Sequence, residues 1–198
     1  MAITDQGTRT FGFGARSAGG VTAPDGDTFF QVGSISKTFT GLLLASQIES
    51  SGGSLLPNTP VNSLLAPDLR LSDFGTQPVT VAQLATHYGS LPAFPNNMTG
   101  PAFYPAQGYT RAQLATYLSG FTLSRAPGTV YEYSNTGSGL LAIALGDRAG
   151  LAPYSALLGA QITGPLSMSD TGVHDVPVTH GLAARLAHGY GGTGPALV

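Results

Sequence analysis

The chain has 198 residues, a length for one domain or a domain with a small lobe. Apolar residues make up 42% and charged residues only 9%, with a net charge of −2 and eight basic residues. A core can form, but no phosphate-neutralising stripe can, which excludes nucleic-acid binding. The chain has no cysteine, which excludes disulfides, zinc-thiolate sites, iron–sulfur clusters and a cysteine nucleophile.

Met1 to Asp5 lacks the basic start and apolar stretch of a signal peptide. Thr8 to Gly14 alternates as a short strand does, Ala15 to Asp27 is a loop, and Thr28 to Val32 is a second extended piece. A helix is predicted from Ser34 to Ser50, with Ile35, Phe39, Leu42, Leu43 and Ile48 on its apolar face, Leu44 and Ala45 widening the stripe, and Gly52-Gly53 ending it. Leu55 to Pro78 is irregular. Thr80-x-x-Gln83 and Thr110-x-x-Gln113 have the form of capping boxes. The first should open a helix burying Val81, Leu84 and Ala85 and stopping near Gly89. The second should open one burying Leu114 and Leu118 and closing at Gly120. Between them lies a proline-bearing loop from Ser90 to Gly108. Pro127-Gly128 marks a turn. Asn135 or Thr136 then caps a helix carrying Leu140, Leu141, Ile143, Ala144 and Leu145, ended by Gly150, and Tyr154 to Ile162 reads as helical. Loop dominates from Gly164 to Val198, with room for two short strands. No apolar run approaches the ~20 residues of a transmembrane helix. The pattern is a mixed α and β protein whose sheet is incomplete.

The single lysine of the chain, Lys37, lies three residues after Ser34. Residues i and i+3 share a helix face, so the hydroxyl and the amine can meet. A serine becomes a nucleophile when an adjacent base takes its proton. A lysine can be that base if desolvation and the positive end of a helix lower its pKa, and Phe29, Phe30, Ile35 and Phe39 surround the pair in sequence. The plainer reading is a solvated lysine on a helix flank. A second element, Tyr131-Glu132-Tyr133-Ser134-Asn135, follows the Pro-Gly turn. Its phenol can relay a proton and its carboxamide can hold an amide. The plainer reading is Asn135 as a helix N-cap and Tyr133 as a half-buried aromatic.

Phe30 to Gly41 resembles the Ser-x-x-Lys active-site segment of the serine β-lactamase and penicillin-binding-protein superfamily. The flavour is that of class C β-lactamases, D-alanyl-D-alanine carboxypeptidases and family VIII carboxylesterases. The resemblance continues, in the family's order, through Val79 to His87, Pro127 to Asn135 and Ile162 to Thr171. It implies an α+β fold of the β-lactamase/transpeptidase type, with the helical lobe largely present and the antiparallel sheet incomplete. Residues 1–198 form a single, partial domain of that type. It implies Ser34 as the acylated nucleophile, with its backbone amide as half of an oxyanion hole. Lys37 activates Ser34, Tyr133 shuttles the proton, and Asn135 binds the substrate amide or orients Lys37. The implied substrate is a small-molecule or peptide acyl compound: a β-lactam, a D-alanyl-D-alanine peptide or a small ester. No metal or organic cofactor is implied.

Two departures stand beside the resemblance. The family's late Lys/His-Ser/Thr-Gly motif, which supplies the second oxyanion amide, has no counterpart, since Gly192-Thr193-Gly194 lacks the basic residue. The turn His87-Tyr88-Gly89-Ser90-Leu91 stands where the family usually has His-Thr-Ser-Gly-Leu, so its glycine has moved. His87, His174, His180 and His188 show no metal-ligand spacing, and His87 is expected to be a structural hydrogen-bonder at a helix end. A fragment cut at both ends is expected. The alternative is a catalytically inactive, truncated or degenerate paralogue. The family usually works in the periplasm or outside the cell. Compartment and oligomeric state stay open.

Overall fold

The computed structural model describes residues 1–101, 105–173 and 184–189. Two compact units make up the chain, residues 34–173, and residues 1–33 with 174–198. Gly192-Thr193-Gly194, His174 and His180 lie outside the described residues, as does most of the stretch expected to hold C-terminal strands.

In the smaller unit, β1 (Ala2–Thr4) and β2 (Gly7–Arg9) pair antiparallel, with Ala2 opposite Arg9 and Thr4 opposite Gly7. The strand expected over Thr8 to Gly14 therefore ends at Arg9. Gly12 and Gly14 give that run no side chains to pack, and Gly14 takes φ 77°, which a strand does not accommodate. Thr28 to Val32 contributes one parallel bridge, Phe29 to Leu186, closed by Phe29 N–H on Arg185 O (2.9 Å) and Ala187 N–H on Phe29 O (2.8 Å). The Arg185 guanidinium covers the Phe29 ring at 4.4 Å from its centroid.

The larger unit is helical. A 3₁₀ turn (Gly33–Ile35) leads into α1 (Ser36–Ser50). Then follow α2 (Val81–Ala85), α3 (Arg111–Gly120), α4 (Asn135–Ala149) and α5 (Tyr154–Leu158), the last running on into a π-helical turn at Gly159–Thr163. Both threonine caps form. Thr80 Oγ1 accepts from Gln83 N–H and Thr110 Oγ1 from Gln113 N–H, while each glutamine side chain accepts from the cap residue's own N–H. These reciprocal bonds satisfy amides that a helix start leaves without partners. Gly150 ends α4 in the left-handed conformation, at φ 65°.

α4 is the central helix. It packs on α1, α2 and α5, and it buries Leu140, Leu141, Ala144 and Leu145 completely. The face of α1 that meets it is the predicted one only in part: Leu43 and Leu44 are buried and Phe39 and Ile48 pack on the core, as expected. Thr40, Leu43, Leu44 and Gln47 are buried, whereas Ile35 is 62% and Leu42 51% exposed. The stripe turns because Gln47 donates to Leu145 O (3.3 Å) and Thr40 meets the Tyr154 hydroxyl (3.0 Å), so two polar side chains take interior positions with partners. Ala85 is also exposed, because it is the last residue of α2 and only Val81 and Leu84 face inward.

One ionic node ties the loops to α4. Asp147 accepts from Arg111 Nη2 (2.8 Å) and from the Ala66 amide (2.9 Å), and Arg111 also forks onto Asp68. Asp147 is the buried member and holds two charge-assisted partners, which a buried carboxylate needs. The substitution Leu145→Ala should lower unfolding free energy by about 2–5 kcal/mol in chemical denaturation, while Ala85→Lys, on the exposed edge of α2, should change it by less than about 0.5 kcal/mol. Equal effects of the two would contradict the burial described here.

Candidate active site

Ser34 sits in the 3₁₀ turn just ahead of α1, and Lys37 is the second residue of the α-helix itself. The tighter turn and the helical turn that follows bring the two side chains together, with Lys37 Nζ donating to Ser34 Oγ at 3.0 Å. The same ammonium donates to Asn135 Oδ1 at 2.6 Å, across 98 residues of sequence. The Tyr133 hydroxyl donates to Ser34 Oγ, and Lys37 Nζ lies 4.8 Å from the centre of the Tyr133 ring. All four residues singled out in the sequence therefore meet at one point.

Asn135 is the first residue of α4, and it is not the cap. Ser134 is the N-cap, its Oγ accepting from Gly137 N–H at 2.8 Å. The Asn135 carboxamide is thereby released to face Lys37. The approach of the two helices at this point needs small residues. A Cβ on Gly137 would lie 3.2 Å from Ser134 Oγ and 3.5 Å from Leu84 Cδ2.

The Tyr133 segment is extended, and the loop after α2 holds it along its length. Gly128 N–H donates to Tyr88 O, Glu132 N–H to His87 O, Ser134 N–H to His87 Nδ1 (3.2 Å), and Asn135 N–H to Ala93 O (3.0 Å). Ser134 Oγ donates to Pro92 O (2.8 Å). His87 also stacks on Tyr133, ring centres 4.5 Å apart, and meets Tyr131 edge-on at 5.9 Å. His87 is thus a structural hydrogen-bonder, as expected, but its partner lies 47 residues away. Spacing within one helix could not have found that. The altered turn is also explained. Ser90, at the position of the family motif's glycine, takes φ 59°, and its Oγ donates to Ala126 O. Gly89 stays small because a Cβ there would sit 2.8 Å from Leu84 Cδ2.

Electrostatics follow from this packing. The Lys37 ammonium, then the Ser34 hydroxyl, hold the Tyr133 phenol below the ordinary value of 10, since both favour the phenolate. Burial, then the Lys37 charge, push His87 below the usual 6.5, keeping the imidazole neutral at pH 7. The expected apolar surround is thinner than the sequence suggests, as both Phe30 and Ile35 are exposed. The charge on Lys37 is met by hydroxyl and carboxamide oxygens. Among the described residues no three His, Asp or Glu side chains gather as a metal ion requires, and no helix is long and apolar enough to cross a membrane.

Comparison with known proteins agrees with this arrangement. A family model described as Beta-lactamase matches residues 1–197. The D-alanyl-D-alanine-carboxypeptidase/endopeptidase AmpH of Escherichia coli (strain K12) is 33% identical over 173 residues, which is 86% of this chain and 44% of that protein. A Beta-lactamase of Providencia stuartii is 31% identical over 74% of this chain and 34% of its own length. Among solved structures, a Beta-lactamase/D-alanine Carboxypeptidase from Yersinia pestis complexed with citrate superposes with a TM-score of 0.78 at 26% identity, covering 88% of this chain and 48% of that one. A D-amino acid amidase from Ochrobactrum anthropi SV3, complexed with L-phenylalanine amide, gives 0.63 at 27% identity, covering 83% and 43%. The chain spans less than half the length of these relatives. The likeness bears out the α+β fold with an incomplete sheet.

The Tyr133 phenol should ionise below the ordinary tyrosine range, and Lys37→Met should move it upward. Ring resonances followed against pH, assigned by comparison with Tyr133→Phe, read this directly. A Tyr133 titration unmoved by Lys37→Met would contradict the placement of the ammonium.

Proposed function

The chain belongs to the beta-lactamase family, and from that premise we propose that it carries the acylating centre of a serine hydrolase, with Ser34 as nucleophile. The observation that carries this reading is the single ammonium of Lys37 bonded at once to Ser34 Oγ (3.0 Å) and Asn135 Oδ1 (2.6 Å), with the Tyr133 hydroxyl on the same serine oxygen.

As the Ser34 oxygen forms a bond to the substrate's carbonyl carbon, its proton passes to the Tyr133 oxygen in phenolate form. Lys37 stabilises that phenolate. The carbonyl π-pair moves to oxygen, and the Ser34 backbone N–H donates to it as half of an oxyanion hole. When the tetrahedral centre collapses, the bond to the leaving nitrogen or oxygen breaks, and Tyr133 returns the proton to the departing atom. Water then attacks the serine ester by the same relay and releases the acid. The Asn135 carboxamide has its oxygen on Lys37, so its NH₂ is the group left to donate to a substrate carbonyl. No metal or organic cofactor takes part in these steps.

The substrate class is an amide or ester of acyl type. The names of the relatives point to β-lactams and D-alanyl-D-alanine peptides, and a small ester is the third candidate. The other reading is a member of the family without catalytic activity, and the same measurement separates the two. Intact mass after incubation with a fluorescent penicillin, and separately with an activated phosphonate ester, should show one adduct that Ser34→Ala removes. Lys37→Met and Tyr133→Phe should each slow its formation by about 10²–10⁴-fold, the range for losing acid–base assistance. No adduct from either probe on a folded chain would sink the hydrolase reading.

A further inference from the structure

Nothing in the proton relay just described uses His87, yet it touches the relay at three points. Its ring lies on the Tyr133 ring, with centres 4.5 Å apart. Its Nδ1 accepts from the backbone N–H of Ser134, the residue that joins Tyr133 to Asn135. Its backbone oxygen accepts from Glu132 N–H, on the other side of Tyr133. Three contacts therefore bracket one residue, and they fix both the height and the tilt of the phenol. The cost is visible in the backbone. His87 takes φ 64°, a left-handed conformation uncommon for a residue with a Cβ.

We propose that His87 is a positioning residue for acylation: its neutral ring, stacked on Tyr133 and accepting from Ser134 N–H, holds the Tyr133 hydroxyl on Ser34 and the Asn135 carboxamide on Lys37. This rests on the reading of Ser34, Lys37 and Tyr133 as the reacting centre. The device works only with Nδ1 unprotonated. An imidazolium carries N–H on both nitrogens, and Nδ1–H would then point at Ser134 N–H, donor against donor. The charged and titratable groups facing the ring are Lys37 from α1, Tyr131 and Tyr133 from the extended segment, and Tyr88 from its own turn, which meets Tyr131 at 5.8 Å. The neighbouring Glu132 carboxylate is engaged by Arg125. Lys37 is thus the cation that the ring faces, and it opposes protonation. Acidification should therefore release the segment where His87 itself takes up a proton, at a pH lower than the ordinary imidazole value of 6.5.

Two substitutions separate positioning from mere packing. His87→Gly keeps the left-handed backbone without strain and removes both the ring and the acceptor. His87→Asn also tolerates that backbone, and its Oδ1 can take the place of Nδ1 opposite Ser134 N–H, without a titrating group. Acylation by the activated phosphonate is followed as a rate constant and as an apparent binding constant across pH 5–8. His87→Gly should lose roughly 10–100-fold in the rate constant with binding little changed, the scale of a displaced reacting group. His87→Asn should recover most of that loss. The wild type should lose rate on acidification with a midpoint matching the His87 ring's own titration by NMR, and that step should vanish in His87→Asn. A wild-type rate in His87→Gly, or the same acid step in His87→Asn, overturns the proposal. The Tyr133 titration supplies a readout without turnover. In His87→Gly it should rise toward the ordinary value of 10 as the phenol leaves Lys37. Should the wild type form no adduct, the nucleophile reading falls. The positioning claim is then decided by whether Tyr133 moves in His87→Gly, and an unmoved titration overturns it.

Discussion

One ammonium group spans the start of two helices. Lys37 Nζ bonds to Ser34 Oγ at the head of α1 and to Asn135 Oδ1 at the head of α4. An ammonium donates three protons and accepts none, so it can join groups that have nothing to offer each other. Hydrogen-bond strength falls within a few tenths of an ångström, and the relative position of α1 and α4 must therefore be held that closely. The core supplies this. Leu43 of α1 and Leu140, Leu141, Ala144 and Leu145 of α4 are buried in one cluster, and closely packed side chains do not slide freely. Gln47, reaching from α1 to Leu145 O, fixes rotation of the pair as well as separation.

The second constraint is local. Five backbone N–H groups of residues 128–136 donate to the loop after α2, and the helix before that loop is anchored by the Thr80 capping box. Within that lacing, Ser134 takes the capping duty that would otherwise occupy Asn135. The division of labour between neighbours is what gives the site its carboxamide. It also explains two small residues. Gly137 lets Ser134 Oγ reach its amide beside Leu84, and Gly89 lets the loop fold against the same leucine. Leu84 is thus the point where α2, the loop and α4 meet.

What could be read from the chain follows from the range of the interactions involved. Capping boxes, the Ser34–Lys37 spacing and the Gly150 stop all act within a few residues, and each appears in the fold where the residues place it, whereas α2 ends at Ala85, short of the Gly89 stop. The face of α1 was only partly legible, with Leu43 and Leu44 placed and Thr40 and Gln47 missed, because hydrophobic spacing cannot know that these two will find buried partners in Tyr154 and the α4 backbone. The hairpin of β1 and β2 escaped notice because three-residue strands with every residue exposed carry no alternation to detect. The partner of His87 and the Arg111–Asp147–Asp68 node were invisible for a third reason: these contacts span 36 to 47 residues, and nothing local marks them.

The scarcity of charge finally bears on the chemistry. Arg111 is neutralised by two aspartates and Arg125 by Glu132, whereas Lys37 has no carboxylate within ion-pair distance among the described residues. Its partners are a hydroxyl and a carboxamide, dipoles that orient the ammonium without cancelling its charge. A carboxylate in the place of Asn135 would absorb that field and leave the phenol of Tyr133 near its ordinary ionisation. With neutral partners the field extends to Tyr133, which is 39% exposed and therefore screened by water on its open side. Closure of that side by a bound substrate would remove the screening and strengthen the pull of Lys37 on the phenolate. On the proposed reading, that closure would keep more of the phenol in the ionised form that can take the Ser34 proton, and would make it a weaker base.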